Sequence, residues 1–227
     1  MTVTLGIDVY GTLIDTAGVT DALQPVAGER ALAVALRWRE KQLEYSFRRG
    51  LMQNYVNFAA CTAQALDYVA EEFGVSLSGT QKEALLDSYK VLPAFDDVEE
   101  GLKRARDAGF AMYAFSNGSA AAVETLLRTA GIRDFFEGVV SADDLRSFKP
   151  NPAVYSHFLR QTGALGSAAW LVSSNPFDVI GAISAGMRAA WVQRSAKTIF
   201  DPWGIEPTVK VGGLGELAQR IAESGGA

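Results

Sequence analysis

The chain has 227 residues, 48% of them hydrophobic and 21% charged, with a formal net charge of −5. That balance suits one domain, or one domain with a small insertion, and excludes a disordered or collagen-like chain. The acidic surplus argues against a nucleic-acid partner, and no apolar run nears the ~18 residues that span a bilayer, so no membrane partner is expected.

The elements read as follows in chain order. Met1 to Asp8 reads as a strand and not as a signal peptide, with its apolar run over Val3–Val9. From about Thr16 to Leu92 the patterns are helical with no convincing strand, which is too long for a loop. Helical stretches at Asp97–Ala108, Ala120–Ala130, Ala153–Thr162 and Phe177–Ala185 then alternate with strand-like runs. Those runs are Phe110–Phe115, Gly138–Ser141, Ala168–Val172 and Ala189–Val192. Gly109, Gly131 and Gly186 stand where helices end. Alternating strands and helices predict an α/β fold with a parallel sheet covered on both faces. The boundaries fall after Asp15 and before Pro93, dividing a core of residues 1–15 and 93–227 from a helical insertion over 16–92. Ligands in such sheets bind at the C-terminal ends of the strands, where the insertion would cover them.

The side chains available for chemistry are limited. One histidine, His157, argues against a Ser-His-Asp triad and a multi-histidine metal site, so carboxylates, lysine, arginine and hydroxyls must serve. His157 lies off the apolar side of its helix and reads as a solvated position. One cysteine, Cys61, has no partner for an internal disulfide; it reads as a small packed residue and points to a cytoplasmic setting.

Asp8 leaves the first strand where the sheet offers its site, with Gly11 permitting a tight turn and Thr12 within reach of a carboxylate oxygen. It can be a nucleophile, a metal ligand or a turn cap. Ser116 and Asn117 end the second strand, at an anion-holding turn or a helix N-cap. Lys149 precedes Pro152, which opens a helix; it is either an exposed loop lysine or an ammonium that would favour the charged form of Asp8. Tyr155 shares a helix face with Phe158, Leu159 and Thr162, and core packing would explain it equally. Ser173, Asn175 and Asp178 follow the fourth strand, the last two on one side of an early helical turn. In the insertion, Leu32, Leu36, Leu43 and Phe47 form an apolar stripe that also holds Arg39. A cation there needs an anion, either a structural carboxylate or a ligand.

These segments, taken in order, resemble the haloacid dehalogenase superfamily. Asp8-Val9-Tyr10-Gly11-Thr12 is similar to its first motif and Ala114 to Gly118 to its second. Phe148-Lys149-Pro150-Asn151-Pro152 resembles the third and Ser173 to Asp178 the fourth. Tyr10 stands where phosphatases of the superfamily carry a second aspartate as general acid. Trp38 to Tyr45 and Tyr55 to Phe58 resemble the cap of type II L-2-haloacid dehalogenases.

The resemblance implies a Rossmann-like parallel core with a helical cap inserted after the first strand. It also implies metal-free, cofactor-free hydrolysis of a short 2-haloacid, likewise in a homodimer. Asp8 would be the nucleophile, and Arg39 with Asn117 would receive the halide. Ser116 would hold the carboxylate, and Asp178, Ser173 and Asn175 would position water. Lys149, Thr12 and Tyr155 complete the catalytic set, with Tyr10, Leu43, Phe58 and Phe177 around the substrate. Two departures stand out: Glu40 where many relatives carry Gln, and Phe177 where many carry Trp. A capped phosphatase and a non-catalytic carboxylate binder are the other readings.

Overall fold

The computed structural model describes residues 2–225. Six parallel strands form one sheet, in the order β3-β2-β1-β4-β5-β6. They are β1 (Thr4–Ile7), β2 (Ala111–Ser116), β3 (Gly138–Ser141), β4 (Ala169–Ser173), β5 (Arg188–Val192) and β6 (Val209–Val211). The apolar runs are near-continuous because the strands are buried on both faces. Met112, Ala114, Trp170, Val172, Ala190 and Val192 face one layer, with α5 (Val98–Asp107), α6 (Ala120–Thr129) and α9 (Leu217–Glu223). Phe115, Leu171, Ala189 and Trp191 face the other, with α7 (Pro152–Thr162) and α8 (Pro176–Ser184). Gly6 belongs to this packing: a Cβ there would come within 2.8 Å of the Phe158 ring.

β1 is central, paired with β2 on one side and β4 on the other. The chain therefore builds outwards from β1 in both directions, and the crevice at this switch of direction lies at the strand C-termini. Asp8, Asn117 and Ser174 follow directly on β1, β2 and β4, which is why three segments distant in sequence converge.

Between β1 and α5 the chain forms α1 (Gly18–Ala27), α2 (Ala31–Met52), α3 (Phe58–Glu72) and α4 (Gly79–Ser88). It leaves and re-enters the sheet side by side: the Asp15 N–H donates to the Pro93 carbonyl at 2.8 Å, and the Phe95 N–H to the Leu13 carbonyl at 3.0 Å. Asn57 caps α3, and Ser78 with Gln81 forms a capping box on α4. Trp38 is fully buried among these helices, its indole N–H donating to the Thr62 carbonyl at 2.8 Å and its ring edge-on to Tyr89.

Two expectations are corrected. The stripe on α2 is only partly a packing face: Leu32 and Leu36 are about 60% exposed, at 59% and 60%, while Ala31, Val34, Trp38 and Gln42 are buried. Trp38, the largest side chain on the helix, sets the rotation that turns those two leucines outwards. His157 is buried, not solvated, because the segment after β3 brings the Asp144 carboxylate to 3.2 Å from its Nε2. The sequence reading also lacked β6 and α9.

Candidate active site

The site is built around Asp8. Just beyond it the chain turns through Gly11 at φ +83°, a conformation that favours glycine. The turn brings Thr12 back, and its hydroxyl donates to Asp8 Oδ2 at 2.8 Å. The Asn175 amide donates to the same oxygen at 2.8 Å and the Ser173 hydroxyl at 3.4 Å. Among the described residues, Lys149 Nζ, at 3.4 Å, is the one hydrogen-bond partner of Asp8 Oδ1. All four partners are side chains, so Asp8 is not a turn cap.

Neither Asn175 nor Ser116 does the helix-capping work open to it. Asn175 occupies the N-cap position of α8 but makes no capping bond, its amide being directed at Asp8. Pro176 opens that helix without an N–H. At the end of β2, Ser119 caps α6 instead of Ser116. The Ser116 oxygen accepts from the Gly118 N–H at 3.1 Å, which leaves its hydroxyl proton free to donate. Asn117 Oδ1 accepts from the Lys149 N–H at 2.8 Å, which leaves its NH2 for the cavity it lines.

Lys149 is not a loop lysine in solvent: it is 1% exposed. Its ammonium donates to the Phe115 carbonyl at 2.8 Å and to Asp178 Oδ2 at 2.9 Å. Tyr155 donates to Asp178 Oδ1 at 2.8 Å, so its place on the core face of α7 is also a place in this network. Burial pushes the Asp178 carboxyl above its usual range despite the lysine beside it. Burial also raises the Tyr155 and Tyr10 phenols.

The helices above complete the enclosure. Asp8, Ser116, Asn117, Lys149 and Asn175 form the floor, and Tyr10, Arg39, Leu43, Phe58 and Phe177 the walls and roof, of a cavity of about 10 Å3. Arg39 donates to Gln42 Oε1 at 2.5 Å and to the Tyr10 carbonyl at 3.4 Å. Gln42 is held in turn by Thr62 at 2.5 Å. Among the described residues Arg39 makes no ion pair. The structural carboxylate that would explain a cation on this face is therefore missing, and its charge is left for the cavity. Glu40 is not that partner: it points outwards and pairs with Arg37 at 3.2 Å.

A chain with a convergent carboxylate, ammonium, amide and guanidinium at this strand crevice has close relatives. The model of the haloacid dehalogenase-like hydrolases matches residues 4–186. The chain belongs to that family. It is 35% identical to (S)-2-haloacid dehalogenase 2 of Pseudomonas sp. (strain CBS-3), over 92% of this chain and 91% of that one. It is 31% identical to (S)-2-haloacid dehalogenase of Pseudomonas sp. (strain YL), over 98% and 95%. The fold is similar to L-2-haloacid dehalogenase of Xanthobacter autotrophicus, with TM-score 0.89, 29% identity and coverage of 98% and 99%. A second structure of that enzyme, with chloropropionic acid covalently bound, is equally similar, with TM-score 0.89 and 28% identity over 98% and 99%.

Every family residue named from the sequence lies in or against this one site. Three supports escaped the sequence. Ser174 donates its N–H to Thr12 Oγ1 at 2.9 Å and its hydroxyl to the Gly11 carbonyl at 2.8 Å. Gln42 orients Arg39, and its spacing of three on α2 was the available signal. Arg194 grips the Thr12 carbonyl through Nε at 3.1 Å and Nη2 at 2.6 Å while pairing with Asp97 at 2.6 Å. No local pattern marks it.

Proposed function

We propose that the protein is a hydrolytic dehalogenase that converts short-chain L-2-haloacids to D-2-hydroxyacids and halide through an ester on Asp8. One observation carries the reading: Arg39, with no carboxylate partner among the described residues, lines the same cavity as Asp8. An attacking carboxylate and a waiting cation are what displacement of halide requires. Asp8 attacks C2 from the side opposite the halogen, and the halide leaves towards Arg39 and the Asn117 NH2. As negative charge moves from carboxylate to halogen, placed donors stabilise the transition state. The attack inverts C2.

The Ser116 hydroxyl and neighbouring amides hold the substrate carboxylate, and Leu43, Phe58, Tyr10 and Phe177 exclude water. Water then attacks the ester at the Asp8 carbonyl carbon, positioned by Asp178 with Ser173 and Asn175. Tyr155 and Lys149 fix Asp178. A halide departs without a proton, so Tyr10 in place of a general acid is no handicap. Residues 16–92 act as the cap over a core of residues 1–15 and 93–227. The reading extends to a cytoplasmic homodimer, with exposed Leu32 and Leu36 on α2 supplying apolar surface. No helix among the described residues is long and apolar enough to cross a membrane.

The test is single-turnover hydrolysis of L-2-chloropropionate in heavy-oxygen water. Label should enter Asp8 and not the product, and Asp8→Asn should release no halide. Label in the product hydroxyl would overturn the ester route.

A further inference from the structure

The cavity around Asp8 is too small for the reaction assigned to it. Its roughly 10 Å3 is about the room one water needs, whereas a 2-haloacid brings a carboxylate, a halogen and a side chain. Substrate must displace part of the wall. Two larger spaces adjoin it. One, of about 500 Å3, meets the cavity at Tyr10 and Phe58, on the side where Arg39 reaches the Tyr10 carbonyl. That is the side the halide takes. The other, of about 590 Å3, meets the cavity at Lys149 and Phe177. Its lining is mainly apolar and includes Phe47, Gly50, Phe148, Pro150 and Ile180. Phe177 stands edge-on to Phe47, ring centroids 4.9 Å apart, as the partition between cavity and chamber.

We propose that this chamber is a side-chain subsite, that Phe177 is its gate, and that the protein accepts 2-haloacids with unbranched alkyl chains well beyond three carbons. The inference rests on the dehalogenase reading and deepens it. Inverting attack fixes three directions at C2: nucleophile at Asp8, halogen at Arg39 and Asn117, carboxylate at Ser116. The wall left for the alkyl group is Leu43 and Phe177. Swinging the Phe177 ring joins the cavity to the chamber and supplies the missing volume. The chamber opens beside Leu51 and Trp203, exposed at 86% and 68%, so a chain longer than the chamber continues along apolar surface.

The experiment separates binding from chemistry. Calorimetry compares propionate with hexanoate, and halide release compares L-2-bromopropionate with L-2-bromohexanoate, in wild type, Gly50→Leu and Ser184→Phe. Both substitutions fill the chamber from outside the catalytic set, one from α2 and one from α8. A Cβ at Gly50 meets its nearest neighbour, Phe148, at an ordinary 3.7 Å.

Each buried methylene is worth about fourfold, so the three that separate the six-carbon from the three-carbon compounds should improve hexanoate binding, and kcat/KM for bromohexanoate, by about sixtyfold when all three are buried. Either variant should abolish that preference and leave the three-carbon compounds unchanged. Equal binding of the two acids by wild type, or a loss in the variants shared equally by both chain lengths, overturns the subsite. A Gly50→Leu variant that changes the oligomeric mass while leaving the chain-length preference intact also overturns it, making the chamber a seat for another chain. Absence of halide from every substrate, with the binding preference present, overturns the dehalogenase reading and not the subsite.

Discussion

Replacing Lys149 by Met keeps most of the side-chain volume and removes the charge. The ammonium is fully enclosed, with Asp178 at 2.9 Å, the Phe115 carbonyl at 2.8 Å and Asp8 at 3.4 Å. Without it two carboxylates share a buried site with no cation between them. Breaking a buried pair by removing one partner costs about 3–5 kcal/mol, because the remaining charge is uncompensated. At 2–4 °C per kcal/mol for a chain of this size, Tm at pH 8 should fall by about 6–20 °C.

The loss should depend on pH. Burial already raises the Asp178 carboxyl, and the lysine is the group that opposes this. In the variant Asp178 takes up a proton on folding. A carboxyl raised in the folded state contributes stability at low pH, and that contribution is lost as pH rises through the folded value. Lys149→Met should therefore lie closer to wild type at pH 5 than at pH 8. Adding Asp178→Asn should restore part of the Tm, and neither variant should release halide. Urea or thermal unfolding at the two pH values measures this. A Tm within 2 °C of wild type at pH 8, or a deficit that does not vary with pH, would refute the electrostatic account.

Three further outcomes follow from the same geometry. Arg39→Gln removes a cation that makes no ion pair among the described residues, so halide release should fall about a hundredfold to a thousandfold while Tm moves little. Glu40→Gln should leave kcat within twofold and cost at most about 1 kcal/mol in urea unfolding, because Glu40 is exposed and, among the described residues, paired with Arg37 alone. Thr12→Val should slow ester opening more than ester formation, so rapid-quench assays should detect a halide burst followed by slow turnover; equal slowing of both steps would count against it.

The α/β architecture was legible because parallel strands buried on two faces leave unbroken apolar runs. β6 was not: Val209, Lys210 and Val211 are three residues, too few for any period to register. α9 is seven residues long and has the same defect. In the core half of the site the strand ends marked Asp8, Ser116, Asn117 and Ser173 as candidates, but their roles, and those of Lys149, Tyr155 and Asp178, came only through the resemblance to the haloacid dehalogenases. On α2 the sequence could not distinguish two overlapping apolar stripes, since the choice depends on Trp38 finding Thr62 and Tyr89 across the fold. His157 was misread for the same kind of reason. Its partner Asp144 lies 13 residues earlier, on a segment with no helical relation to α7. Arg194 comes to Thr12 from 182 positions away.

On the proposed route the two oxygens of Asp8 divide the chemistry between them. Displacement at carbon needs an oxygen with little competing for its lone pairs, and among the described residues Oδ1 has one hydrogen-bond partner, the Lys149 ammonium, at the long distance of 3.4 Å. Oδ2, with donors at 2.8, 2.8 and 3.4 Å, is too encumbered for that task. Once Oδ1 carries the substrate carbon, Oδ2 becomes the ester carbonyl oxygen, and water adding to that carbon drives negative charge onto it. Thr12, Asn175 and Ser173 would then serve as an oxyanion hole, placed before the charge develops and needing no reorganisation. The Ser174 N–H on Thr12 Oγ1 and the Arg194 grip on the Thr12 carbonyl keep that hydroxyl aimed. On the proposed route no histidine is needed: attack by a carboxylate calls for no base, the halide leaves without a proton, and Asp178 would serve as the base for water.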